Sequence, residues 1–462
     1  MSLDLAIPAG ERTRASRRTW RPPGERRQLV GPVAIASGLL FAHALYGAEP
    51  AMAALLAAAL LCIGIAGSIL IAGPQALGPG DLAALGIILA YGATGLAGHV
   101  EKALPSLIVL FVAVGVWAAG LLAGRGRASR DAACLALVWT SLAFCIWLFI
   151  SYVAAILTSA ETPSLAASFS SPASASLLFG SLTLLGAGRF SHVLKRSDAD
   201  GLARSEVLDR VISEGLGGLL LCVFAAACLF LAGSSVGLIL CAAALVIHLW
   251  WDLRSILLRE HRGLALRVAG YVAPVLAAGL AGWGVALAWL QDETVSAAAG
   301  LGDLPRLARF NAYLDAWREA SPAQQLFGHG LGSAEAVGRE AAVLSTALAL
   351  SAPGDAQNVL TRWLVEAGVF GTALFALLLL VAVFAAVRSL GETKAPRTFP
   401  RLALALAFLL ALHGAAHSSL DMPSVIWLFG FLLGLSAGVR RSRAGGYGRY
   451  AAEPGGGSEA SS

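Results

Sequence analysis

The side chains best suited to chemistry lie in one polar stretch of an otherwise apolar chain, between residues 303 and 366. Arginine presents a planar fork of N–H donors that binds phosphate or carboxylate oxygens in pairs, and it keeps its charge at any physiological pH. Such a set favours an anionic ligand, with capping of a helix bundle or contact with lipid headgroups as the simpler interpretation. The arginines of the stretch are Arg306, Arg309, Arg318, Arg339 and Arg362.

A glycine-rich turn, 327-FGHGLGS-333, lies among these arginines. Gly328, Gly330 and Gly332 would let the backbone come close to a ligand or to a neighbouring helix, because no side chains intervene. Successive amides of such a turn can also form an anion-binding concavity. Two interpretations of the turn therefore stay open, a ligand contact and a structural turn, and the same two apply to His329.

Groups that could accept a proton follow the turn. Asp355 immediately precedes the pair Gln357-Asn358, and Glu366 follows Arg362 by four residues, the spacing of an ordinary helical ion pair. Near the end of the chain stand His413, His417 and Asp421. Ionisable groups that lie next to apolar segments tend to face a cavity or a partner, since their exposure to lipid is costly.

The elements that must position these groups are transmembrane helices. Hydrophobic residues make up 57% of the 462 and charged residues 13%, and the mean hydropathy is +0.74, whereas soluble domains average about 25% charged residues. The apolar residues form twelve runs, most of them long enough to cross a hydrocarbon core. These runs are 29–47, 51–73, 82–98, 105–124, 132–157, 173–190, 211–231, 235–251, 268–290, 366–387, 402–416 and 424–439. The sequence thus predicts an all-α bundle of about twelve spans.

The distribution of cations predicts the orientation of this bundle. With the N-terminus in the cytoplasm, 27 of the 33 lysines and arginines fall on the cytoplasmic side, as the positive-inside rule expects. Both termini are then cytoplasmic, and five of the six remaining cations lie between residues 306 and 362. The basic residues flank membrane spans and form no patch, which argues against nucleic acid as a partner.

Five regions follow from this pattern. Residues 1–28 form an Arg-rich cytoplasmic tail, 29–290 a bundle of about nine spans, and 291–356 a large outward loop. Residues 357–439 contain about three further spans, and 440–462 a disordered cytoplasmic tail. Within the loop, Leu307, Phe310, Leu314 and Trp317 recur at helical spacing in 304-LPRLARFNAYLDAWREA-320. This segment is predicted to be an amphipathic helix that lies on the membrane surface or caps the bundle.

The cysteines give no sign of a metal site or a disulfide framework. All six lie inside apolar runs, without CxxC spacing or histidine clustering, so they are predicted to be small buried hydrophobes. We therefore expect no metal and no cofactor.

The polar loop resembles the hallmark segment of the O-antigen ligase and O-antigen polymerase superfamily of bacterial envelope enzymes. The resemblance rests on Arg309 and Trp317 on one helix, the stretch 327-FGHGLGS-333, and 355-DAQNVLTRWLVEAGVFG-371, which carries the pattern Glu-x-Gly-x-x-Gly. Weaker similarities are 168-SFSSPASASLLFG-180 and 417-HSSLDMPSV-425.

Members of this superfamily are integral membrane glycosyltransferases that require no metal. They take a glycan from an undecaprenyl-pyrophosphate carrier at the periplasmic face of the bacterial inner membrane. Ligases place it on lipid A–core, and polymerases place it on another repeat unit. The resemblance implies these partners, membrane lipids, and an association with polysaccharide assembly machinery.

The resemblance and the chemistry of the side chains together suggest roles for residues. Arg309 is the first candidate to stabilise the departing pyrophosphate, and Asp355 or His417 is the candidate base. Donor binding would fall to the following residues: Arg306, Arg339, Arg362, Gly328, His329, Gly330 and Gly332. Substrate positioning would fall to Gln357, Asn358, Glu366 and Asp421.

Two positions depart from the family pattern. Gln357 stands where relatives have the histidine of a His-Asn pair, and Ser235 stands where they have an arginine after a serine. A glutamine cannot accept a proton near neutral pH as a histidine can. The chain therefore uses another base or another acceptor, or it is a catalytically degenerate scaffold of an export complex. A polysaccharide-related transporter or flippase is the remaining alternative. Many transporters are built from internal repeats, and this sequence contains no convincing one.

Overall fold

The protein is almost entirely helical in the part of the chain that the computed structural model describes, and that part contains no strand. The described residues are 86, 100–125, 127–158, 172–199, 204–257, 264–299, 306–334, 336–337, 359–390, 398–417 and 423–450. Six helices within them are long and apolar enough to cross a membrane. The chain is therefore a multi-pass membrane protein.

Twelve helical segments follow one another along the described chain. They are α1 (Val100–Arg125), α2 (Arg127–Thr158), α3 (Pro172–Ala199), α4 (Arg204–Arg210), α5 (Leu216–Leu231), α6 (Ser235–Leu257), α7 (Leu264–Ala299), α8 (Arg306–Glu319), α9 (Pro322–Phe327), α10 (Val359–Leu390), α11 (Thr398–Ala416) and α12 (Pro423–Tyr450). A π-helical turn, Val211–Gly215, joins α4 to α5 without a break.

Nine of the twelve predicted apolar runs coincide with helices of the structure. The runs from 105–124 to 424–439 fall within α1 to α3, the continuous α4–α5 segment, α6, α7 and α10 to α12. The first three runs lie outside the described residues, apart from residue 86, so the total of twelve spans and the cytoplasmic termini stay predictions. Of the two terminal tails, residues 1–28 and 451–462 also lie outside the described residues.

All of these helices extend beyond the apolar runs that predicted them, and α12 continues to Tyr450, into the tail 440–462 that was predicted to be disordered. α7 continues past 290 to Ala299, and α10 begins at Val359, seven residues before its predicted span. The extensions carry good helix formers such as Gln291 and Glu293, which prolong a helix without adding hydrophobicity. The predicted loop 291–356 therefore begins as helix.

Glycines allow α1 and α12 to touch backbone to backbone. A Cβ atom placed on Gly120 or Gly124 of α1 would overlap the carbonyl of Phe431 or Leu435 in α12. Conversely, a Cβ atom on Gly434 would overlap the Trp117 carbonyl. Helices in membranes associate through such close approaches of small residues, since lipid supplies no hydrophobic driving force between them. The resulting contact packs α1, early in the described chain, against its last helix.

The centre of the bundle is occupied by α3 and α11. Of the 18-residue apolar windows in the six candidate spans, those of α3 and α11 are the most buried, at 78% and 67%. α11 packs against α3, α6, α10 and α12. A displacement of α11 would therefore change its contacts with all four of these helices. Among the five described cysteines, the prediction of burial is confirmed for Cys134, Cys145, Cys228 and Cys241, while Cys222 is half-buried.

Candidate functional site

The predicted amphipathic helix is α8, and it caps one end of α10. Tyr313 is buried with Val365 of α10 and Ala334, and Trp317 packs against the same small cluster. The predicted apolar stripe contained Trp317 but not Tyr313, which at 5% exposure is the more deeply buried of the two. Its hydroxyl makes tyrosine a weak hydrophobic signal in a sequence, although its ring buries as much area as other aromatic residues.

A sharp turn after α8 leads into the short helix α9. Ser321 accepts a hydrogen bond from the Gln324 amide at 3.3 Å, and the Gln324 side chain accepts one from the Ser321 amide at 3.2 Å. This reciprocal pair is a capping box, which satisfies amides that a helix start leaves open. The indole nitrogen of Trp317 donates to the Gln325 carbonyl at 3.1 Å. α8 and α9 therefore form a compact unit ahead of the glycine-rich segment.

Residues 328–333, here called the glycine turn, have the backbone that their composition predicts. Gly328, Gly330 and Gly332 adopt φ values of 80°, 100° and 78°. Residues with a Cβ atom rarely enter this region because the side chain approaches the backbone too closely. The G-x-G-x-G spacing therefore fixes the path of the main chain here.

The glycine turn packs onto a break in α10. Gly368 has φ 65° and ψ −172°, so the helical ladder is interrupted there. An interruption frees carbonyls that would otherwise accept hydrogen bonds from the next helical turn. Those of Val365 and Glu366 accept instead from the amides of His329 at 2.8 Å and Gly330 at 3.0 Å. The turn thus satisfies polar backbone that a membrane helix cannot leave open.

No side chain fits between the two segments. A Cβ atom on Gly328 would overlap the Glu366 carbonyl, and one on Gly368 would overlap the Leu326 carbonyl. Gly368 belongs to the Glu-x-Gly-x-x-Gly pattern noted in the sequence, but its role in breaking the helix was not predicted. The signal available was a glycine two residues after Glu366, at the start of an apolar run.

These contacts narrow the role of the glycine turn. The amides of Gly328, His329, Gly330 and Ser333 all donate to carbonyls of the chain. Those four amides do not form an anion-binding concavity, which corrects that part of the sequence interpretation. The close approach to a neighbouring helix is the interpretation that the structure supports. Ligand contact through the side chain of His329 stays a prediction.

An ion pair lies beside the break. Arg362 Nε donates to Glu366 Oε1 at 3.0 Å, as their spacing of four residues predicts. Glu366 is 4% exposed, and the Arg362 side chain is about one-fifth exposed. The Glu366 carbonyl also accepts from Gly330, so the pair and the glycine turn form one cluster.

Two histidines end α11, which packs against α10. His413 is fully buried, and neither of its ring nitrogens has a hydrogen-bond partner. The His417 amide donates to the His413 carbonyl at 2.6 Å, and the two ring centroids are 5.8 Å apart. An imidazole that is buried without a partner is costly, so α11 must be held firmly for His413 to occupy this place.

The structure brings together Gly328, His329, Gly330, Arg362 and Glu366. Arg306 and Arg309 lie on α8, which packs on α10. The remaining predicted site residues, Arg339, Asp355, Gln357, Asn358 and Asp421, lie outside the described residues. No group of three or more His, Cys, Asp or Glu side chains in the described ranges is placed to hold a metal ion.

Comparison with known families identifies this region. A family model described as "Wzy_C: O-Antigen ligase" matches residues 220–376. The match begins in α5 and ends after the break in α10, and it includes α8, α9 and the glycine turn. A search among curated proteins found no match. The resemblance noted in the sequence is thereby confirmed over residues 220–376, which are similar to the O-antigen ligase family.

Proposed function

We propose that the chain is a membrane glycosyltransferase that moves a glycan from an undecaprenyl-pyrophosphate-linked donor to a glycan or lipid A–core acceptor. The reaction would take place at the periplasmic face of the bacterial inner membrane. The family match supports the ligase or polymerase class. The observation that carries the proposal is the packing of α8, which bears Arg309, on α10 at Val365, between Arg362 and the break at Gly368.

The chemistry requires two groups. The bond between the anomeric carbon and the pyrophosphate oxygen breaks, and the acceptor hydroxyl oxygen forms the new bond at that carbon. The pyrophosphate leaves on the polyprenol with its additional negative charge, which a fixed guanidinium stabilises. We assign this role to Arg309, with Arg306, Arg339 and Arg362 as further donor contacts.

The hydroxyl proton needs an acceptor. His417 or Asp355 would take it, because Gln357 cannot. Asn358, Gln357, Glu366 and Asp421 would position the acceptor or the loop. Glu366 is buried and paired with Arg362. The ion pair keeps its carboxylate in place, which suits a positioning role, and makes it a poor base.

The test compares two arginines of the same helix. Arg309→Ala removes the proposed pyrophosphate contact, whereas Arg318→Ala removes an exposed arginine that pairs with Asp315 at 3.2 Å. We expect Arg309→Ala to lower transfer by about 10²- to 10³-fold at unchanged protein level, and Arg318→Ala to leave it near wild type. Transfer is measured with purified protein, a lipid-pyrophosphate donor and candidate acceptors. Wild-type transfer by Arg309→Ala would contradict the assignment.

Cells distinguish the two activities within the class. Deletion of a ligase leaves polymer on the carrier lipid, while deletion of a polymerase leaves single repeat units. One observation also favours a transporter, since helices broken at glycine line the substrate sites of many transporters. Movement of a lipid-linked glycan across proteoliposomes without an acceptor, and no transfer with one, would favour that alternative.

A further inference from the structure

A network of buried charges lies at the end of α11 opposite His417. Asp252 of α6 is fully buried, and its Oδ1 accepts from Lys195 Nζ of α3 at 2.6 Å and from Arg401 of α11 at 2.9 Å. Its Oδ2 accepts from Ser191 Oγ at 2.6 Å. These four residues, the Asp252 network, join three helices at one carboxylate.

Further groups surround this carboxylate. The ring of His248, itself fully buried, lies with Nε2 3.8 Å from Asp252 Oδ2. The Lys195 side chain is 21% exposed and that of Arg401 is 10% exposed. Lys195 can therefore turn toward water or lipid headgroups if it loses its partner, as long cationic side chains do. Arg401 has much less freedom, so the pairing with Asp252 constrains α11 more than α3.

α11 connects the Asp252 network to the two histidines at its opposite end. Fourteen of its 19 residues are buried, and nothing in its sequence between Arg401 and His413 breaks the helix. The twelve steps between these residues correspond to about 18 Å at 1.5 Å per residue. A rotation or shift at Arg401 therefore reaches His413 and His417 with little loss, because a helix packed on several sides moves as a unit.

We propose that Asp252 is a positioning residue, which fixes the rotation and depth of α11 through Arg401 and so places His413 and His417 at the opposite end. The expected effect of Asp252 on transfer rests on the proposed function. The placement of α11 by Asp252 does not depend on it. A buried carboxylate between two cations is a poor device for stability alone, since its desolvation offsets the attraction. It specifies one arrangement of three helices, because any other leaves a charge without its partner.

The experiment measures the accessibility of His413, which lies at the end of α11 opposite Arg401. In Asp252→Asn the two cations repel each other and α11 shifts, so His413 becomes reactive toward diethylpyrocarbonate. We expect the fraction of carbethoxylated His413, measured by peptide mass spectrometry on the full-length protein, to rise several-fold. The kcat for transfer should fall at least tenfold, while the KM for the donor stays within about twofold. Asp252→Glu should recover both partly.

The matched control is another acid of the bundle. Glu214 pairs with Arg196 at 3.7 Å, and both side chains are more than one-third exposed. Glu214→Gln should leave His413 protected and transfer unchanged. If Asp252→Asn does not fold, Arg401→Lys is tested in its place. This variant keeps the positive charge but loses the planar guanidinium, and a smaller rise in His413 modification is expected.

The outcomes separate the two proposals. A folded Asp252→Asn or Arg401→Lys variant in which His413 stays protected overturns the positioning role, whatever its transfer activity. A rise in His413 modification with wild-type kcat also overturns that role for transfer. If the wild-type protein transfers no glycan, the proposed function fails, while the modification of His413 still decides whether Asp252 places α11.

Discussion

Glycine serves two different purposes in two regions of this protein. Between α1 and α12, glycines within regular helices allow two backbones to touch. Around the break in α10, glycines with positive φ allow a turn to donate hydrogen bonds to an interrupted helix. The first region needs only the absence of a side chain, and the second needs that absence together with an unusual backbone. Substitutions can separate these two requirements.

The largest effect is expected between α1 and α12. Leucine at Gly434 would push four heavy atoms against the backbone at Trp117. Neither helix can yield without losing its contact with the other, and overpacking of this kind costs about 3 kcal/mol or more. We expect Gly434→Leu to lower the yield of monodisperse protein severely, as measured by fluorescence-detected size exclusion. A normal elution profile and melting temperature would show that the glycine contact is dispensable.

A smaller but more local effect is expected at the break in α10. Alanine at position 368 would violate both requirements. The backbone there has φ 65°, and the added Cβ atom would overlap the Leu326 carbonyl. The backbone strain alone is about 1–2 kcal/mol. We expect Gly368→Ala to detach the glycine turn and to abolish transfer, while much of the protein still elutes as a folded species. Faster hydrogen exchange at the amides of His329 and Gly330 would measure the detachment directly, and unchanged exchange would contradict it.

The smallest effect isolates the backbone requirement. Gly233 lies in the turn between α5 and α6 with φ 74°, and a Cβ atom there would meet nothing within 4 Å. Gly233→Ala should therefore lower stability by about 1 kcal/mol, the strain without an overlap. The control is Gly282→Ala within α7, where the backbone is helical and the space is open. That change should stabilise the protein by about 0.5–1 kcal/mol, and thermal unfolding in detergent measures both.

Much of the fold could be predicted because lipid imposes a simple pattern. The run 402–416, for example, predicted the end of α11 correctly and placed its start four residues too late. The ends of α7 were harder, since polar helix formers such as Gln291 carry no hydrophobic signal. The glycine turn was recognisable from spacing alone, but the choice between a ligand contact and a structural contact needed the position of Glu366.

The Asp252 network could not be predicted from the sequence. Its members Lys195 and Arg401 stand 57 and 149 residues from Asp252, and each looks like an ordinary cation at a membrane flank. Only packing shows that the three meet at one carboxylate. The same holds for Tyr313, whose contact with Val365 depends on how α8 folds back over α10.

The exposure of α10 has a consequence for how the protein responds to its bilayer. Only 11% of the residues in its apolar window are buried, the lowest share among the six candidate spans. Its connections to the polar loop include the pair of hydrogen bonds at the break and the contact of Val365 with Tyr313. A thicker or thinner membrane, which changes the tilt of a weakly packed span, would move His329 and its neighbours with it. We therefore expect lipid chain length to affect the position of His329 independently of any substrate.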